Sequence, residues 1–138
     1  MRNDSALSSI ELKKVKSFSK DSGTLSIIEG TRQTPWVIAR SYFISTYFPE
    51  VRGGHAHREC SQAIICLSGS VEIKCSTPKS HQTYELQPHN EFLLIPPGIW
   101  VDLETKENTV LAVLTDHFYD EADYIRNWTE YCKSYSLT

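Results

Sequence analysis

The sequence predicts an all-β domain, a sandwich or barrel of short strands, and three observations support this. Short apolar runs rich in β-branched and aromatic residues recur from Leu25 to Leu114. Val71, Ile73 and Cys75 alternate with Glu72, Lys74 and Ser76, the period of a strand with one wet face. Gly, Pro, Asn and Ser punctuate the gaps, and many short strands at even spacing close by sheet-on-sheet packing.

Taken in order, residues 1–20 are Ser- and Lys-rich and end near the turn signal Asp21-Ser22-Gly23. They form a flexible lead-in or a peripheral N-terminal strand, and residues 21–138 form a single domain. Strand runs follow at Leu25–Ile28, Trp36–Ala39, Tyr42–Ile44, Ala63–Leu67, Val71–Cys75, Glu91–Ile95 and Thr109–Leu114, with Ser68-Gly69-Ser70 a tight turn between two of them. Only the tail changes period. From Asp120-Glu121-Ala122-Asp123 onward, Tyr124, Trp128 and Tyr131 or Cys132 recur at helical spacing, so a short C-terminal helix lies against the barrel.

The 138 residues suit one domain with its own core. A net charge of −3 argues against a general nucleic-acid or membrane surface, so cations that bind an anion must be gathered locally. Cys60, Cys66, Cys75 and Cys132 form no CxxC pair and read as reduced thiols. Residues 1–12 carry no apolar signal segment and no run reaches membrane-spanning length, which places the protein in the cytoplasm.

The chemistry concentrates in residues 52–69. His55 and His57 flank Ala56 on extended backbone, so both imidazoles share one face. Such a pair can hold a metal, or it can carry protons near neutral pH.

Here the chain resembles the cupin superfamily, small jelly-roll barrels (double-stranded β-helices). Gly54-His55-Ala56-His57 and Gly69 match the first cupin stretch, and Pro96-Pro97-Gly98-Ile99-Trp100-Val101 the second. Gln62 stands where metal-binding cupins carry a glutamate, and Val101 where they carry a third histidine. Two of four protein ligands are thus missing, which implies a metal-independent site.

Arg40-Ser41-Tyr42-Phe43, Arg52–His57, Gln62, Pro96–Trp100 and Tyr119–Arg126 occur in this order. Together they resemble the cupin sugar-nucleotide 3,4-ketoisomerases. The resemblance implies an isomerase that shifts the keto group of dTDP-4-keto-6-deoxy-D-glucose from C4 to C3 through an enediol, without a cofactor, in the biosynthesis of deoxy-aminosugars for O-antigen or S-layer glycans. It also implies a homodimer that exchanges N-terminal strands.

On that reading His55 is the leading carbon-to-carbon proton shuttle, with His57 its partner or the acid at oxygen. Tyr42 relays a proton between the two oxygens, or packs as an ordinary strand tyrosine. Arg40 and Arg52 meet the charged part of the ligand, Arg52 alternatively forming a rim salt bridge. Gln62 bonds a sugar hydroxyl or fixes a histidine tautomer. Trp100 stacks on sugar or thymine, with a buried core role as the competing view. Tyr124 and Arg126 hold the C-terminal segment in place. The family often has an arginine before the glycine of the early turn, where this chain has Ser22; Arg32 is the candidate to replace it. The alternatives are a metal-dependent cupin enzyme and a non-catalytic sugar-nucleotide-binding cupin.

Overall fold

A computed structural model describes residues 5–136. Residues 1–4, part of the expected lead-in, lie outside the described residues. The strands are β1 (Glu11–Lys14), β2 (Lys16–Lys20), β3 (Gly23–Ile27), β4 (Arg40–Thr46), β5 (Glu50–His57) and β6 (Gln62–Ser68). They continue with β7 (Val71–Ser76), β8 (His81–Leu86), β9 (Glu91–Ile95), β10 (Trp100–Thr105), β11 (Thr109–Thr115) and β12 (Tyr124–Ile125), and helix α1 (Trp128–Tyr135) follows.

Two five-stranded sheets, β1-β9-β6-β11-β4 and β12-β5-β10-β7-β8, face each other in the jelly-roll arrangement the resemblance implies, and every ladder pair is antiparallel. β2 and β3 form a separate hairpin.

Parity explains the layers. Ile64, Cys66, Ile73, Cys75, Leu93, Leu111 and Val113 point between the sheets and form the main core. Their neighbours Ala63, Ile65, Phe92, Leu94 and Ala112 point outward but are covered by Val15, Ile28 and Trp36. With both faces buried, Ala63–Leu67 reads as an unbroken apolar run rather than an alternation. On the far side, Ala56, Trp100 and Ile125 are capped by Tyr131 of α1.

Two local expectations are corrected, at residues 36–39 and at the start of the helix. Leu7, Ile10 and Val15 are buried in the cores, β1 pairs with β9 as an edge strand, and β2 is exposed. Residues 36–39 are irregular, because Trp36 lies over the first sheet instead of pairing in it. Gly69, at φ +74°, turns the chain from β6 in one sheet to β7 in the other. The helix begins at Trp128, where the Asn127 side chain caps it by accepting from the Glu130 amide. Tyr124 belongs to β12, and Asp120 instead caps a single 3-10 turn, Glu121–Asp123.

All four cysteines are free thiols, three of them buried. Among the described residues no helix is long and apolar enough to cross a membrane.

Candidate active site

A cavity of about 620 Å³ opens at the β4–β5 end of the sandwich. Arg40 and Tyr42 of β4 enter it from one sheet, as does Gln62 at the start of β6; Arg52 and His55 of β5 enter from the other. Val101 and Leu103 line its floor, and Tyr119, Tyr124 and Arg126 complete the wall.

The two histidines reach their positions through a bulge. Arg52 pairs with Leu103, Gly53 with Asp102 and His55 with Val101, so one residue of β5 is extra. Gly53 and Gly54 absorb it at φ +88° and +72°, in the region that favours glycine. A Cβ on Gly53 would lie 2.7 Å from the Val101 carbonyl oxygen. Beyond the bulge His55 and His57 point inward, while Ala56 is sealed beneath Trp100 and Tyr131.

His55 and His57 stand edge to face with ring centroids 5.1 Å apart. Tyr124 packs on both, at 5.0 and 4.4 Å. Burial, then the neighbouring His57 and Arg126, push the His55 pKa down to about 4, so it is neutral at physiological pH. His57 is only 2% exposed. Burial lowers its pKa too, opposed by a 2.8 Å hydrogen bond in which Nδ1 donates to Asp123 Oδ2. Burial of Asp123 opposes its ionisation, but the Glu59 amide (2.7 Å to Oδ1) and His57 hold its pKa below the ordinary value. His57 Nε2 and His55 Nδ1 are buried without a hydrogen-bond partner.

Tyr42 is pushed up to about 12 by burial and then by Tyr124, so it remains an O–H that can donate and accept. Arg40 lies 5.3 Å from the Tyr42 ring centroid and donates from Nε to Thr115 Oγ1. Arg126 stacks 4.3 Å over Tyr124 and pairs through two nitrogens with Glu121, which also accepts from Tyr119 Oη. Arg52 is paired with Glu50 on the rim and also lines the cavity.

Trp100 is corrected. It precedes Val101 on β10, so when Val101 faces the cavity Trp100 faces the helix, where it is 7% exposed and packs on Trp128 and Tyr131. A stacking role on the ligand is not open to it. Arg32 pairs loosely with Glu29 and does not line the cavity.

The motif reading gives Tyr119 and Asp123 no role of their own and Tyr124 and Arg126 only that of holding the C-terminal segment, yet all four stand at the candidate site. Tyr124 and Arg126 stand two apart on extended backbone and share a face, a signal hidden by the helical spacing of Tyr124, Trp128 and Tyr131.

The residues do not fit a cupin metal centre. Val101 sits opposite His55 where a third imidazole would stand. Among the described residues, the groups that could share an ion are His57–Cys60–Asp123 and Cys60–Asp116–His117, and neither includes His55. The histidine pair therefore does not converge with a third donor.

Residues 8–136 match the family described as "FdtA: WxcM-like, C-terminal". The chain belongs to this family. A curated relative, the TDP-4-oxo-6-deoxy-alpha-D-glucose-3,4-oxoisomerase of Aneurinibacillus thermoaerophilus, is 34% identical over 113 residues, 80% of this chain and 81% of that protein. The 3,4-ketoisomerase QdtA of Thermoanaerobacterium thermosaccharolyticum, solved with TDP, superposes with a TM-score of 0.87 at 36% identity, covering 92% of this chain and 94% of the other. A variant of QdtA, solved with TDP-4-keto-6-deoxyglucose, superposes at 0.86 and 35% identity over the same shares. The rmlC epimerase of Mycobacterium tuberculosis, 11% identical with a TM-score of 0.72 over 85% of this chain and 68% of that one, shares the cupin fold alone.

Proposed function

We propose that this WxcM-like protein is a ketoisomerase that converts dTDP-4-keto-6-deoxy-D-glucose to the 3-keto isomer. One observation carries the reading. A neutral imidazole, His55, lines a cavity whose wall holds Arg40, Arg52 and Arg126, and the carboxylate-backed imidazole of His57 stands directly against it, 5.1 Å away between ring centroids.

The carbonyl at C4 acidifies the hydrogen on C3. His57 Nε2, an unpaired acceptor, takes that proton, and the C3–H electron pair forms the C3–C4 double bond while the carbonyl pair moves to O4. Asp123 stabilises the imidazolium so formed. The same proton, or one exchanged with water, then adds to C4. The O3 proton leaves as the C3 carbonyl forms, and O4 gains one.

We therefore assign the carbon base to His57 rather than His55: burial, the neighbouring His57 and then Arg126 hold the His55 pKa near 4, whereas at His57 the Asp123 hydrogen bond opposes the lowering by burial. His55 and Tyr42 instead hydrogen-bond the two oxygens and pass the proton between them. Arg40 and Arg126 supply positive potential for the enediolate, and Arg52 and Gln62 contact the nucleotide or sugar hydroxyls. A ketone at C3 suits transamination there, the step that makes a deoxy-aminosugar.

The assembly we propose is a homodimer that exchanges N-terminal strands. Hairpin β2–β3 joins neither sheet and exposes Phe18 and Leu25. Free thiols throughout suit a cytoplasmic site.

Incubation with dTDP-4-keto-6-deoxyglucose in D₂O, followed by NMR, tests the activity. Deuterium at C3 and C4 and new 3-keto resonances are expected; an unchanged spectrum refutes the reading. Light scattering of the purified chain decides between monomer and dimer.

A further inference from the structure

We propose that Asp123 is a positioning residue that fixes the tautomer of His57, leaving Nε2 as the bare proton acceptor. The inference rests on the ketoisomerase reading and adds a residue 66 positions away in sequence.

The Asp123 carboxylate has two engaged oxygens. Oδ1 accepts from the Glu59 amide at 2.7 Å, and Oδ2 faces His57 Nδ1 at 2.8 Å. An ionised carboxylate only accepts, so Nδ1 must be the protonated nitrogen and Nε2 the unprotonated one. Nε2 is buried without a hydrogen-bond partner, and its ring packs against His55, which lines the cavity. The carboxylate is itself held rigidly. The Arg58 amide donates to the Asp123 carbonyl at 2.8 Å, and the next two residues pair with β5 as Tyr124↔His57 and Ile125↔Ala56. Side chain and backbone thus clamp the same stretch of β5 that carries the histidines.

The two fixed partners predict an outcome specific to Asp123→Asn. The Glu59 amide can only donate, so the asparagine oxygen must stay on it. The side-chain NH₂ then faces His57 Nδ1, which has to become the acceptor, and the imidazole proton moves to Nε2. The shape is nearly unchanged, but the base is blocked.

Two-bond ¹H–¹⁵N correlation spectra of ¹⁵N-histidine-labelled protein test this, with His57→Gln used for assignment. The Nδ1–H form is expected for His57 in the wild type and the Nε2–H form in D123N. With the TDP-4-keto sugar, kcat of D123N should fall by roughly 10²–10⁴-fold with little change in KM, as expected for a lost base rather than lost binding. Wild-type His57 in the Nε2–H form overturns the inference whether or not the variant folds. So does a D123N enzyme with unreduced kcat. A wild-type protein that leaves the sugar unchanged defeats the proposed function instead, and the tautomer spectra still decide the role of Asp123.

Discussion

Arg52 and His55 look into the same cavity although they stand three positions apart on one strand, a spacing that strict alternation sends to opposite faces. The Gly53–Gly54 bulge reverses the parity. Because opposed residues of a ladder share a face, Leu103 and Val101 draw Arg52 and His55 inward together.

Gly53→Ala should therefore damage both stability and catalysis. Its φ of +88° is strained for alanine, and the new Cβ would meet the Val101 carbonyl. A loss of about 1–3 kcal/mol is expected, read by urea unfolding, with a lower kcat from misaimed imidazoles. Wild-type values for both would remove the bulge from the account.

Removing either imidazole separates their roles. His57→Asn should abolish deuterium exchange at C3 and lower kcat by roughly 10²–10⁴-fold. His55→Asn should slow turnover while C3 exchange persists, since the oxygen-side transfer is what it loses. Persistent C3 exchange in the His57 variant would return the base to His55.

Trp100 serves packing. Trp100→Ala should destabilise the fold by about 3–5 kcal/mol through the void left beneath α1. The milder Trp100→Phe should leave the affinity for TDP unchanged by calorimetry. A tenfold weaker affinity in that variant would place the indole at the ligand after all.

Acid should destabilise the protein well above the carboxylate range. His55 binds its proton at about pH 4 when folded, against about 6.5 when unfolded. The unfolded chain takes up a proton first as pH falls, so the stabilisation present above pH 6.5 is lost between 6.5 and 4. For this group the loss between pH 7 and pH 5 is roughly 2 kcal/mol. Burial gives His57 the same sign. Urea titrations at the two pH values should show a smaller difference in His55→Gln than in wild type.

Arg126→Gln removes a charge that acts on His55 and leaves Glu121 without its cationic partner. Both changes favour the imidazolium, so the His55 pKa should rise from about 4 toward 6.5 in an NMR titration. A static value would show that burial and His57 alone set it.

Much was legible in the chain because strand period, turn chemistry and motif order are local. Val71–Cys75 alternates as written, though Ser76 at the strand end is buried; His55 and His57 share a face because backbone pleating has period two, and the ordered motifs from Arg40 to Arg126 named the family. Long-range contacts settled the rest. A bulge set the face of Arg52, and packing on α1 turned Trp100 away from the cavity. Asp123 met His57 only because β12 pairs with β5. Such register and docking depend on which distant surfaces bury each other, and no window of neighbouring residues encodes that.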